Sequence, residues 1–141
     1  MTNGRFDSAN TIWVSQDGQG TLEIGPAGAV SANDVVLTNT PAALTGAGDL
    51  AAKLKFTFDA NGTGSLTVTN KLTIGQGVTL EVDATGRNGK SGAFPLIRYG
   101  ESEGEFGDVT IQGQGHVRKM TLDGVTGYWY QNTPGTLLIF R

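Results

Sequence analysis

The sequence predicts an all-β fold, most directly a short parallel β-helix, or solenoid, finishing in an antiparallel C-terminal cap. Three observations carry this expectation. First, the stretches Leu22-Glu23-Ile24-Gly25-Pro26-Ala27-Gly28-Ala29-Val30, Leu72-Thr73-Ile74-Gly75-Gln76-Gly77-Val78 and Val109-Thr110-Ile111-Gln112-Gly113-Gln114-Gly115-His116-Val117 share one outline. Each is an apolar–polar–apolar strand stub that stops at a Gly-rich turn and resumes on a β-branched residue, a unit able to bury its apolar face only against neighbouring copies. Second, 22 of the 141 residues are Gly, roughly twice the usual share, without the strict Gly-X-Y period of collagen. Third, Thr, Val, Ile and Leu fill the space between the glycines, which is strand chemistry. A β-sandwich is the alternative, because short, regularly spaced strands suit it too.

The elements follow in order from period-2 alternation and its interruptions. Residues 11–15 lead through the turn at 16–20 into Thr21-Leu22-Glu23-Ile24, and Val35-Val36-Leu37 follows Asn33-Asp34. Residues 54–58 alternate Leu, Phe and Phe with Lys and Thr, then break at Asp59-Ala60-Asn61-Gly62. Strands at 65–69, 71–74 and 78–83 come next; in the last, Val78, Leu80 and Val82 share one face. Phe94-Pro95-Leu96-Ile97-Arg98-Tyr99 is a strand whose proline belongs at an edge or at the strand start. Residues 101–107 read as an acidic loop, followed by strands at 109–111, 117–122, 128–131 and 136–140. Asn132-Thr133-Pro134-Gly135 is expected to join the last pair as a hairpin. Helix signals amount to one short turn after Asp49, over residues 50–54. No linker or composition shift divides residues 1–141, so one domain is expected.

Composition limits the function classes. A net charge of −3 with mixed signs leaves no basic stripe, so nucleic acid is not an expected partner. The absence of Cys removes disulfides, thiolate metal sites and Cys nucleophiles. Apolar runs of only a few residues exclude a membrane-spanning helix and any membrane insertion by one. The opening Met1-Thr2-Asn3-Gly4 has no signal-peptide character, yet strand-like sequence runs from near the first residue to the last. The chain is therefore expected to be a fragment of a longer, exported protein.

Within residues 54–113 the order of motifs is distinctive: Lys55-Phe56-Thr57-Phe58-Asp59-Ala60-Asn61-Gly62, Leu66-Thr67-Val68, Leu72-Thr73-Ile74-Gly75 and Leu80-Glu81-Val82-Asp83-Ala84. Gly92-Ala93-Phe94-Pro95-Leu96-Ile97-Arg98-Tyr99, Gly104-Glu105-Phe106 and Val109-Thr110-Ile111 follow. This order resembles the C-terminal end of the β-helical, passenger-like regions of bacterial surface proteins with autotransporter-associated repeats. The resemblance implies a right-handed parallel β-helix with a closing cap, extracellular or on the bacterial cell surface. It implies a structural or adhesive role, as stalk or cap, with no catalytic residues and no cofactor.

Counted as an EF-hand loop from Asp59, position 6 is Gly64, but position 12 is Asn70 rather than Glu. The segment is expected to be an Asn-Gly turn and no metal site; Asp59 and Asn61 are the residues a cation would use. Glu81 and Asp83 lie about 7 Å apart on one strand face, as glycosidase carboxylates can, but any solvated strand gives the same picture. His116, the single histidine, sits among cations and lacks a nucleophile-elbow motif, so no enzyme is expected. Tyr128-Trp129-Tyr130 is the cluster most open to function. In a strand, Tyr128 and Tyr130 share a face opposite Trp129. These rings either seal the last rung or, in the alternative reading, form the stacking platform of a carbohydrate-binding module. Glycans, another protein surface, or self-association through exposed solenoid ends are the expected partners.

Overall fold

The computed structural model describes residues 5–14, 20–40, 50–88 and 90–132. Fourteen strands and one 3-10 turn make up these residues, with no α-helix among them, so the chain is all-β. The first seven strands are β1 (Arg5–Asp7), β2 (Thr11–Val14), β3 (Thr21–Ile24), β4 (Ala29–Leu37), β5 (Asn39–Thr40), β6 (Leu50–Ala51) and β7 (Lys53–Asp59). They are followed by β8 (Gly62–Thr63), β9 (Ser65–Ile74), β10 (Thr79–Asp83), the 3-10 turn η1 (Thr85–Arg87), β11 (Gly92–Glu103), β12 (Asp108–Gln112), β13 (His116–Leu122) and β14 (Val125–Asn132).

The long strands fall into two sheets between which the chain passes back and forth. The larger has the order β1-β4-β9-β11-β14-β13, with β2 also on β4; the smaller has the order β3-β7-β10-β12, with β8 on β7. From β1 to β11 and from β3 to β12, every pairing along these paths is parallel, and the smaller sheet's are unbroken in register. Leu22, Leu54, Leu80 and Val109 thus form one row, and Ile24, Phe56, Val82 and Ile111 another. In the larger sheet Val30, Leu66 and Ile97 line up in the same way. Both inner faces supply a single core in which Leu54, Phe56, Leu66, Leu72, Leu80 and Leu96 have no exposed surface. Burial of this apolar area is the main drive for the stack. Neither sheet is closed or curled.

Alternation in the larger sheet resets partway along each strand. In β4 the buried residues are Val30 and Ala32, then Val35 and Leu37; in β9 they are Leu66 and Val68, then Leu72 and Ile74. The reset falls at register shifts between Ala32 and Asp34 and between Tyr99 and Glu101. Polar groups satisfy the backbone there. The Asn33 N–H donates to Asn10 O at 3.2 Å, Thr69 Oγ1 to Ala32 O at 3.2 Å, and Asn70 Nδ2 to Asp34 Oδ1 at 2.8 Å. On the next strand a Cβ at Gly100 would lie 2.8 Å from both Thr69 O and Asn70 O, so only glycine fits.

The structure corrects several sequence expectations. The three look-alike turns occupy two kinds of place: residues 25–28 and 113–115 lead from the smaller sheet to the larger, residues 75–78 the other way. They share an outline because either passage needs a tight turn with a left-handed residue, Ala27 at φ 60° and Gly77 at φ 80°. The expected helical turn is instead strand β6, with Asn39 paired to Ala51 and the Ala52 N–H donating to Thr38 O at 2.9 Å. Strand β11 continues to Glu103, past the expected start of the acidic loop, because β9 offers it a partner as far as Thr73. Pro95 sits where β11 pairs only with β14, an edge on its β9 side. The observed C-terminal hairpin joins β13 to β14 through Asp123 and Gly124, both with positive φ. Strand β14 has partners on both sides, β11 and β13, and the expected hairpin from it runs into residues 136–140. Those residues, Leu138 and Phe140 included, lie outside the described ones.

Candidate functional site

The aromatic cluster forms where the parallel stack ends. Strand β14 runs antiparallel to β11, with Phe94 opposite Tyr130 and Ile97 opposite Tyr128. The side-chain period of two sends Tyr128 and Tyr130 to the core face. Tyr130 packs on Phe58 at 4.6 Å between ring centroids, and Phe58 on Phe94 at 5.5 Å. Tyr128 meets Phe106 edge-on at 5.0 Å and Tyr99 at 6.0 Å. Trp129, on the opposite face, lies outside the core cluster and donates its indole N–H to Val125 O at 3.2 Å. All three are buried: Tyr128 and Trp129 are 5% exposed and Tyr130 1%. A sugar-stacking platform needs an open ring face, and none of the three has one here.

The two tyrosine hydroxyls differ. Tyr130 donates to Gln114 O in the loop before β13. A Cβ at Gly115, beside that bond, would lie 2.5 Å from the Tyr130 ring, which fixes glycine there. The Tyr128 hydroxyl is buried without a hydrogen-bond partner. Burial pushes both phenols above the ordinary tyrosine value, Tyr128 furthest, because ionisation in an apolar site is costly.

Beside the cluster lies a residue that sequence reading missed. Arg87, 6% exposed, donates from Nη1 to Ala60 O at 2.9 Å and from Nη2 to Ser91 O at 3.0 Å, and stands 4.7 Å over the Phe94 ring. It thereby ties the Asp59 turn to the loop after η1. No local pattern marks it, since Ala60 O, 27 residues earlier, is brought to it by the fold.

At the Asp59 turn the Asn61 and Gly62 N–H groups donate to Asp59 Oδ1 at 2.8 and 3.1 Å. The carboxylate is thus engaged in closing the β7–β8 hairpin, as the turn reading expects. A shallow depression of about 230 Å³ lies over this turn, lined by Ala27, Asp59, Asn61, Gly62 and Thr63. Among the described residues no group of three or more His, Asp or Glu side chains is placed to hold a metal ion.

The acidic residues on the outer faces have local partners. Glu81 sits between Lys53 at 3.3 Å and Lys55 at 3.8 Å. Asp83 accepts from Thr85 Oγ1 at 2.6 Å and Thr85 N at 3.1 Å, bonds that hold its pKa below the ordinary aspartate value. Glu103 pairs with Lys71 at 2.6 Å, and Glu105 with Lys119. His116 is exposed, opposite Gln131 in the outermost hairpin strand.

No protein-family model, curated protein or solved structure matches this chain.

Proposed function

We propose that this chain is a structural segment, stalk or cap, of an extracellular or cell-surface bacterial β-repeat protein, folded as a short right-handed parallel β-helix. The single observation that carries the reading is the in-register parallel stacking of both sheets, closed on one side by an antiparallel hairpin. Consecutive strands of a sandwich pair antiparallel, so the parallel rows favour a solenoid. Parallel crossovers within a sheet are almost always right-handed, which supports that hand. The resemblance to autotransporter-associated repeat proteins supplies the exported, adhesive or structural context. The glycan-binding alternative rests on Tyr128, Trp129 and Tyr130, and their burial withdraws its main support.

The test is location and length in the cells that encode the chain. An antibody raised against residues 5–132 should decorate intact cells, and protease shaving should release a product longer than this chain. Staining only after permeabilisation overturns the surface reading. A thermal-shift screen against polysaccharides tests the alternative: a glycan-dependent rise lost in Trp129→Ala would place binding ahead of a purely structural role.

A further inference from the structure

The Asp59 turn carries a dipeptide with chemistry of its own. In Asn61-Gly62 the Gly62 nitrogen can attack the Asn61 side-chain carboxamide, because glycine has no side chain to obstruct the approach. The Gly62 N to Asn61 Cγ bond forms, the Cγ to Nδ2 bond breaks, and the Gly62 N–H proton ends on the departing ammonia. Water then opens the cyclic imide at either carbonyl. The product is aspartate or, with the main chain rerouted through the side chain, isoaspartate. Asn61 is exposed, and the depression of about 230 Å³ over the turn brings solvent to it. The glycine is not freely exchanged, since Gly62 has φ 149°, which residues with side chains rarely adopt.

We propose that this turn is a guarded deamidation site, at which the Asp59 carboxylate holds Asn61 back from conversion. The Gly62 N–H donates to Asp59 Oδ1 at 3.1 Å, and the Asn61 N–H donates to the same oxygen at 2.8 Å. The attacking nitrogen must shed the very proton that this anion accepts, and a negative charge alongside disfavours a second one. The backbone adds to the restraint. Asp59 and Gly62 are paired in the β7–β8 hairpin, and Ala60 O between them accepts from the buried Arg87. Gly62 therefore cannot swing onto the Asn61 side-chain carbon without breaking these bonds. Conversion matters to the fold, because isoaspartate adds a backbone atom to a short hairpin loop and would draw Ala60 O away from Arg87. The surface-protein reading can fail without affecting this assignment.

The test follows deamidation of Asn61 by peptide mapping and mass spectrometry, in the full chain at mildly alkaline pH. The parent, Asp59→Ala and Asp59→Asn are each compared folded and unfolded in guanidinium chloride. Folded Asp59→Ala should convert at least on the order of tenfold faster than the folded parent, the effect expected of a hydrogen bond to a charged group. Asp59→Asn keeps an oxygen acceptor without the charge and should fall between them. Unfolded, all three should convert at one rate, because the carboxylate is then no longer held on the Gly62 N–H. If circular dichroism shows that Asp59→Ala does not fold, Asp59→Asn carries the comparison. A folded parent that converts as fast as its unfolded form overturns the proposal. So does an acceleration that is equally large in the unfolded chain, or equal folded rates for the parent and both variants.

Discussion

The two ends of the stack contrast sharply. At the hairpin end, β14 turns antiparallel across β11 and sends two tyrosines inward onto Phe58, Phe94, Tyr99 and Phe106. At the other end, among the described residues, β1 and β2 each have β4 as their one partner and β3 has β7, and Trp13 on β2 is 52% exposed. At the end of any sheet the last strand presents a backbone edge and the end of an apolar row. Large rings cover the apolar end because each spans a wide area with little conformational freedom to lose. The hairpin end is lined with aromatic rings, whereas the other end carries an exposed tryptophan.

Substitutions can break or sharpen this contrast, the largest effect first. Tyr130→Ala should cost about 3–5 kcal/mol, as removal of a buried ring does, read as a fall in the urea midpoint. A loss under about 1 kcal/mol would mean the ring does not seal the core. Tyr130→Phe should cost about 1 kcal/mol, because Gln114 O loses its donor. Tyr128→Phe, by contrast, removes a hydroxyl with no partner and should be neutral or slightly stabilising.

The same pair predicts a pH dependence. Both phenols titrate above 10.0 in the folded chain, so their contribution is present below that pH and is lost as pH rises beyond it, when only the unfolded phenol ionises. Tyr128→Phe should therefore flatten the alkaline fall in melting temperature, and an unchanged profile would refute the burial of that hydroxyl. At the opposite end Trp13→Ser should change stability by no more than about 0.5 kcal/mol; a larger loss would show that this edge is covered in solution.

The smallest effect concerns neither end. Asp83, held below 3.8 by Thr85, contributes stability at neutral pH that disappears as pH falls through its lowered folded value. The difference in melting temperature between Asp83→Asn and the parent should be greatest near neutrality and vanish in strong acid. A gap that persists in acid would assign the effect to packing instead of charge.

Much of the interior was legible in the sequence. Ile24, Leu54, Phe56, Phe58, Leu66, Val68, Leu72, Ile74, Val78, Leu80, Val82 and Leu96, apolar positions of the strands read from the sequence, are all buried. Leu22, Phe94, Phe106 and Ile111 pack partly buried against them. The reset at Asn33, Asn70 and Gly100 was not legible, because a break in alternation reads as the end of one strand and the start of another. So the sequence pattern reads β9 as two strands, although it is one. The aromatic trio was placed correctly on opposite strand faces, but local sequence could not say which rings were covered.

By itself the sequence determined where strands run, which side chains face inward, the Asp59 turn and the all-β class. These depend on period-2 alternation and on turn residues, both properties of a few consecutive positions. Only the tertiary structure decided which strand lies beside which, that Leu54 sits over Leu80, that the C-terminal hairpin turns at Asp123-Gly124, and that Arg87 is buried against the carbonyl of the distant Asp59 turn. Those outcomes depend on contacts between residues far apart in the chain, chosen by the apolar area and backbone hydrogen bonds each pairing satisfies.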